Sequence, residues 1–232
     1  MVTLNRPETR NAIDASVIDQ IHSLLDQLEP DPKVLILCGA QAVFASGADI
    51  RELRERGRNE ALMGINSGLT RRLANFQMPT IAVVDGIAFG AGAEIAYACD
   101  FRLASERCQF GNPESRLGII AGAGGCWRLR DLVGEVVAKE MLFAGRTLDA
   151  NEALQLKLVN SVHDHDEVLD AAHLLADRLR LADPLALRLA KVAMLAPSEA
   201  HPAIDNVIQA VLFESPEKFR RMTAFLDSRR AK

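Results

Sequence analysis

Between Gly86 and Cys99 runs the small and apolar stretch Ile87-Ala-Phe-Gly-Ala-Gly-Ala-Glu-Ile-Ala-Tyr-Ala98, whose only charged residue is Glu94. A carboxylate in such surroundings is expensive to bury without a partner, and burial moves its pKa up towards the range of a general acid or base. Glu94 follows Ala91 by three residues, so the two share one face of a helix. The small residues Gly90-Ala-Gly92 would leave main-chain N–H groups unobstructed at the start of that helix, as an oxyanion or a phosphate requires. A second acid, Glu114, ends Phe110-Gly-Asn-Pro-Glu114 and precedes the glycine-rich Leu117-Gly-Ile-Ile-Ala-Gly-Ala-Gly-Gly125. A third segment, Phe44-Ala-Ser-Gly-Ala-Asp-Ile50, follows an apolar strand-like run directly.

Plainer readings stand beside these. Glu94 could reach solvent or pair with an arginine, with the glycines serving only close packing. Glu114 after Pro113 suits the first turn of a helix, where the dipole favours an acid. Ala45–Ala48 suits a surface turn ahead of a helix beginning near Asp49. Other chemistries are excluded more firmly. Gly90-Ala-Gly92 opens like a dinucleotide fingerprint, but its sixth position is Ile95. No glycine run leads into Gly-Lys-Ser/Thr, and no Gly-x-Ser-x-Gly elbow occurs. His163-Asp-His165 supplies two ligands on a polar loop, short of a metal site, so no metal is expected. The basic run Arg51–Arg58, interleaved with Glu52 and Glu55, reads as an exposed, salt-bridged helix face.

These segments need elements to hold them. Short β-branched runs predict strands at Val2–Leu4, Val34–Cys38, Thr80–Val84, Phe101–Ala104 and Leu158–Val162. Ile13, Val17, Ile21, Leu24, Leu25 and Leu28 recur at helical spacing, with Asp14 as N-cap and Pro30 and Pro32 closing the helix. Strands alternating with helices predict an α/β fold with mostly parallel pairing. After about Asp164 strand signals stop, and helices are expected at Val168–Leu181, Leu185–Leu195, Ala203–Phe213 and Pro216–Ser228. Residues 1–164 therefore read as a core and 165–232 as a helical module too small to bury much surface alone.

The 232 residues are 49% apolar, 25% charged and only 5% aromatic, so the interior must be built from aliphatic side chains. A net charge of −4 provides no global field for nucleic acid or an anionic membrane. Cys38, Cys99, Cys108 and Cys126 are widely spaced, with no Cys-x-x-Cys, and are expected to be reduced. With no membrane-length apolar run and no secretory signal pattern, the expected location is cytoplasmic.

Taken together, these segments resemble the enoyl-CoA hydratase/isomerase (crotonase) family along nearly the whole chain. Leu4-Asn-Arg-Pro with Asn11-Ala12 is similar to the family's opening strand and turn. Ala45-Ser-Gly-Ala-Asp-Ile50 and Gly86-x-x-x-Gly-Ala-Gly-x-Glu94, continued to Cys99-Asp100, resemble its two oxyanion-hole segments. Phe110-Gly-x-Pro-Glu114, continued through Gly124-Gly125-x-x-Arg128-Leu129, resembles the stretch bearing its second acid. Asn151-Glu-Ala153 with Leu158-Val159 is similar to a further family element. Each piece alone is weak; their order and spacing are specific.

The resemblance implies a spiral of ββα units, with a C-terminal helical module used in a homotrimer or a dimer of trimers. It implies that the N–H groups of Ala48 and Ala91 bind a thioester oxygen while Glu94 and Glu114 hold a water molecule. Hydratases of the family carry both acids and isomerases commonly one, so hydration of a 2-enoyl-CoA is expected. A double-bond isomerase or a low-turnover acyl-CoA-binding protein are the alternatives. Coenzyme A enters as part of the substrate, with no separate cofactor. Its adenine and phosphates are expected near Arg6, Arg10 and Asn11-Ala12, and the rest of the substrate along Ala45, Gly47, Ala48, Asp49, Ile50 and Ala91. Three departures from the family pattern bear on substrate preference: Ala91 within the glycine run, Ala121 for a frequent proline, and the bulky Cys126-Trp127 pair.

Overall fold

The computed structural model of the chain describes residues 1–230. Its strands are β1 (Val2–Leu4), β2 (Leu35–Gly39), β3 (Val43–Ala45), β4 (Thr80–Val84), β5 (Ile87–Phe89), β6 (Phe101–Ser105), β7 (Gln109–Gly111), β8 (Thr147–Asp149) and β9 (Ser161–His163). The helices are α1 (Ala15–Leu28), α2 (Ile50–Glu55), α3 (Arg58–Met63), α4 (Ile65–Ala74), α5 (Ala91–Ala98), α6 (Arg130–Val133), α7 (Glu135–Ala144), α8 (Ala150–Gln155), α9 (Val168–Arg180), α10 (Pro184–Leu195), α11 (Ala203–Phe213) and α12 (Pro216–Arg230).

Two sheets arise from one repeated step. Each of β2, β4 and β6 enters a five-stranded parallel sheet ordered β1-β2-β4-β6-β9. The strand that follows each of them, β3, β5 and β7, enters a second sheet ordered β3-β5-β7-β8, parallel except for β7 against β8. Helical segments then return the chain to the first sheet, so the core is a spiral of ββα turns. β4 is buried at every position, consistent with a central strand covered on both faces. Phe44 and Phe110 are fully buried and fill the second sheet.

The first sheet follows the sequence expectation closely. β1 and β4 have the expected bounds, β2 is shifted by one residue at each end, and β6 is longer by one residue. The last strand is displaced: Leu158–Asn160 is a bend, and pairing with β6 begins only at Ser161. The buried side chains of Leu158 and Val159 lie ahead of the ladder. The strands of the second sheet were not read from the residues, although the ββα spiral that the resemblance implies calls for them. Asp14 caps α1, its carboxylate accepting from Val17 N at 2.9 Å.

The chain divides into two compact units, residues 1–177 and 178–232. The division falls inside α9, later than the change of character at 164. The second unit contains α10, α11 and α12, and Asp183 caps α10 by accepting from Leu185 N at 3.2 Å. Several large apolar side chains of this unit are exposed, among them Val207, Val211, Phe219 and Phe225. No helix among the described residues is long and apolar enough to cross a membrane.

Candidate active site

Every residue of the candidate site belongs to the first unit. α5 begins where β5 ends, and Gly90 makes the bend with φ 51° and ψ −125°, a conformation that side-chain-bearing residues rarely adopt. Gly92 lets the helix lie against β3, since a Cβ there would stand 2.5 Å from the Ala45 carbonyl oxygen. The far end of α5 is tied down twice. Asp100 Oδ2 accepts from Thr80 N at 2.7 Å and from Thr80 Oγ1 at 2.9 Å. Buried Arg102 donates at 2.5 Å to Cys99 O, a carbonyl that the helix end leaves open, and at 2.7 Å to Leu158 O, which lies beyond α8.

This rigid helix carries Glu94 into the interior, 3% exposed. It neither reaches solvent nor meets an arginine: Oε1 accepts from Ala123 N at 2.7 Å and Gly125 N at 2.9 Å. Gly125 has to be glycine for this, since a Cβ would stand 2.5 Å from Ala121 Cβ and 3.3 Å from Glu94 Oε1. Burial pushes the Glu94 carboxyl up to about 7; the Gly125 and Ala123 N–H groups oppose the rise and the neighbouring Glu114 charge adds to it.

Glu114 opens a 3-10 turn, Glu114–Leu117, rather than an α-helix, and is 9% exposed. Its Oε1 accepts from Asn112 Nδ2 at 3.3 Å, whereas Oε2 is buried with no partner. Burial raises this carboxyl too, opposed by its own main-chain N–H and by Asn112. A Cβ on Gly90 would lie 3.3 Å from Glu114 Oε1 and 3.6 Å from Gly47 Cα, so Glu114, the start of α5 and the Ala45–Ala48 segment meet at one place.

That segment is half strand, half turn. Ala45 ends β3 and is fully buried, so the surface turn expected here begins only beyond it. Ile13 N donates to Gly47 O at 2.8 Å, and Asp49 N donates to Ile13 O at 3.0 Å. By alternation along an extended chain, the intervening Ala48 N–H points away from Ile13. Neither Ala48 N–H nor Ala91 N–H has an acceptor among the described residues. Two free amides and two buried acids thus converge, an arrangement able to stabilise a developing oxyanion while moving protons beside it.

The other expected residues flank in sequence the bridge between Ile13 and Ala48. Asp49 caps α2, accepting from Arg51 N at 2.9 Å and Glu52 N at 3.0 Å, and Ile50 is exposed. Arg6 is turned to its own segment, paired with Asp14 at 2.5 Å and donating to Ala12 O at 3.1 Å. Ala12 itself is buried. Arg10 is exposed, and its guanidinium has no partner among the described residues. The basic run forms α2 and the start of α3, with Arg56 paired to Glu52 at 3.0 Å. Trp127 is half exposed under the Arg128 guanidinium, 4.0 Å from its ring centre. The sequence reading missed Asn112, Tyr97 and the donors at Ala123 and Gly125. A lone tyrosine in an apolar helix and an asparagine among apolar neighbours were the available signals.

A sequence model of the family described as "Enoyl-CoA hydratase/isomerase" matches residues 1–232. The chain is 36% identical over 241 residues to the short-chain-enoyl-CoA hydratase of Clostridium acetobutylicum, covering 99% of this chain and 92% of that protein. It is also 36% identical over 235 residues to the 2,3-dehydroadipyl-CoA hydratase of Escherichia coli, covering 99% and 92% respectively. Among solved structures, an enoyl-CoA hydratase from Bacillus anthracis superposes with a TM-score of 0.91 at 29% identity, covering 97% of this chain and 91% of that one.

Proposed function

The chain belongs to the enoyl-CoA hydratase/isomerase family and has its α/β spiral fold, and on that premise we propose that it adds water across the 2,3-double bond of a 2-enoyl-CoA thioester. The observation that carries this reading is the pair of buried carboxyl groups, Glu94 and Glu114, beside two main-chain amides without acceptors. Addition of hydroxide at C3 sends negative charge to the thioester oxygen as an enolate. Held between the N–H groups of Ala48 and Ala91, that oxygen is stabilised by preformed donors, each worth about 3 kcal/mol in comparable sites.

Two acids this close titrate as a coupled pair, and in the reacting state the pair holds one proton. Glu94 Oε1 accepts two main-chain hydrogen bonds, which favour its ionised form against the burial that raises it, so in that state Glu94 takes the proton from water. Glu114 keeps an oxygen free of any donor, so it carries the remaining proton and delivers it to C2. Hydroxyl at C3 and hydrogen at C2 sum to one water. The proton gained by Glu94 then returns to Glu114 to restore the starting state. Coenzyme A enters only as part of the substrate, with its phosphates near the exposed Arg10 and its pantetheine crossing Ala45–Ala48. The exposed apolar side chains of the second unit support assembly into a homotrimer, or two such trimers. Four free cysteines, three of them buried, support a reducing, cytoplasmic setting.

The test is the fall in absorbance of a crotonyl-type thioester. Glu114→Gln is expected to lower kcat by at least about 100-fold. A rate within tenfold of wild type would remove Glu114 from the mechanism. Product analysis with a 3-enoyl-CoA tests isomerisation, and conversion there without hydration of the 2-enoyl ester would replace the reading. Replacing Arg6 and Arg10 together by alanine is expected to raise KM; unchanged affinity would move the phosphates elsewhere.

A further inference from the structure

Besides its own main-chain N–H, Glu114 is held by one side chain, and the chain of contacts behind it is closed to solvent. Tyr97 is 3% exposed and Asn112 1% exposed. Tyr97 Oη lies 3.1 Å from Asn112 Oδ1, and Asn112 Nδ2 lies 3.3 Å from Glu114 Oε1. An amide oxygen only accepts, so the tyrosine hydroxyl must be the donor in the first bond. With Oδ1 so engaged, the amide nitrogen has one direction left, towards Glu114. We propose that Tyr97 and Asn112 are positioning residues that reserve Glu114 Oε1 as an acceptor and so place the transferable proton on Oε2. This rests on Glu114 being the proton donor of the hydration.

The geometry is consistent at each end. Glu114 Oε2 is the buried oxygen without a partner, where a proton is available for transfer instead of being spent in a protein hydrogen bond. Tyr97 lies three residues beyond Glu94 on α5, so one helix holds the first acid directly and orients the second through Asn112. Its ring stacks on Phe110 of β7 with centroids 6.2 Å apart, which fixes the hydroxyl. Burial, with the Glu94 and Glu114 charges adding, raises the phenol further above its ordinary range, so it stays a donor throughout the working pH range. Gly125 leaves the space: a Cβ there would stand 3.4 Å from Asn112 Nδ2.

Without the hydroxyl, Asn112 is free to turn its amide over and offer Oδ1 to Glu114. The acid's proton would then be held in a bond to Oδ1 and withdrawn from substrate. Glu114 would also ionise less readily. The titratable groups around it are Glu94 and Tyr97 from α5 and Cys126 from the turn at 125–129; Tyr97→Phe removes only the phenol, which is neutral throughout the pH range tested, and leaves Glu94 and Cys126 in place.

The experiment measures kcat and KM for a crotonyl-type thioester from pH 5 to 10 in wild type, Tyr97→Phe, Asn112→Leu, the double variant and Glu114→Gln. Tyr97→Phe is expected to lower kcat about tenfold with KM within about twofold, and to move the alkaline limb of kcat to higher pH. Because the hydroxyl acts only through Asn112, adding Tyr97→Phe to Asn112→Leu should change the rate by less than about twofold. Wild-type kcat and pH profile in Tyr97→Phe, or independent multiplication of the two losses, overturns the proposal. Should Asn112→Leu fail to fold, the profile of Tyr97→Phe decides alone. If Glu114→Gln is inactive while Tyr97→Phe matches wild type, the positioning role fails and the hydration reading stands. If Glu114→Gln keeps its rate, both fall.

Discussion

α5 and the turn after β7 each deliver one carboxyl group to the same place, and they hold it by different means. Glu94 stands on a helix anchored at both ends, its oxygen gripped by the main-chain N–H groups of Ala123 and Gly125. Glu114 stands on a four-residue 3-10 turn, its oxygen gripped by one side-chain amide. Main-chain donors cannot be substituted away, so the Glu94 side changes only when backbone moves. On the Glu114 side a single side-chain replacement alters the setting. The first acid is built into the fold, and the second is tuned on top of it.

The largest effect should come from Glu94→Gln. Glutamine still offers an oxygen to both amides, so the fold is kept and only proton transfer is lost. We expect kcat to fall by about 100-fold to 10,000-fold while the circular dichroism spectrum is unchanged. A loss of native structure would show that the carboxylate, and not its shape, holds the 121–125 turn in place.

The same variant separates the two acids by their effect on stability. A Glu94 carboxyl titrating near 7 when folded and near its ordinary value of 4.5 when unfolded leaves the native state holding the extra proton between those values. Stability therefore falls as pH rises from about 4.5 to about 7 and is level above that, a loss of about 3 kcal/mol. Glu94→Gln should remove this slope, raising Tm relative to wild type at pH 8 but not at pH 4.5. Parallel Tm curves for the two proteins would mean that the main-chain donors cancel the burial of the charge.

How much of this could be read from sequence also differs between regions. β2, β4 and β6 are five-residue strands with nearly all positions buried, and their short, largely apolar runs mark them plainly. β3, β5, β7 and β8 have three residues each, too few to display any period; β3, β5 and β7 are delivered beside their neighbours by the preceding ββ turn, and β8 returns to β7 from α7. Glu94 was visible as one charge in an apolar helix. Asn112 and Tyr97 were not, because their contact exists only once β7 and α5 have packed. Nor was the pairing of Arg6 with Asp14, eight residues away, which the same reading had placed only at a helix cap.

A backbone probe should sharpen the contrast at smaller magnitude. Gly125→Ala brings a methyl group to 2.5 Å from Ala121 Cβ and crowds both Glu94 Oε1 and Asn112 Nδ2. Overpacking of this kind destabilises by about 1–3 kcal/mol. Moving the Gly125 N–H by a few tenths of an ångström loosens Glu94 while leaving Glu114 Oε2 untouched. We expect a lower Tm and a reduced kcat with KM little changed. An active variant with full stability would mean that the 121–125 turn yields more readily than the two main-chain bonds imply.

The smallest expected effect lies at the start of α5, where room matters more than protons. Ala91 lines a small cavity of about 10 Å³ with Ile13, Leu69 and Ala123, space for one water molecule at most. Its N–H is the proposed oxyanion donor, and that donor survives replacement by glycine. Only the methyl group is lost. A single methyl in an apolar pocket discriminates by about tenfold, and glycine at a helix start weakens the helix by at most about 1 kcal/mol. Ala91→Gly should therefore leave kcat for a linear 2-enoyl thioester within about twofold and raise kcat/KM for a 2-methyl-branched one several-fold. If branched and linear substrates respond alike, the methyl faces away from the acyl group, and the limit on substrate shape lies on the other side of the site, with Trp127 and the turn that bears Glu114.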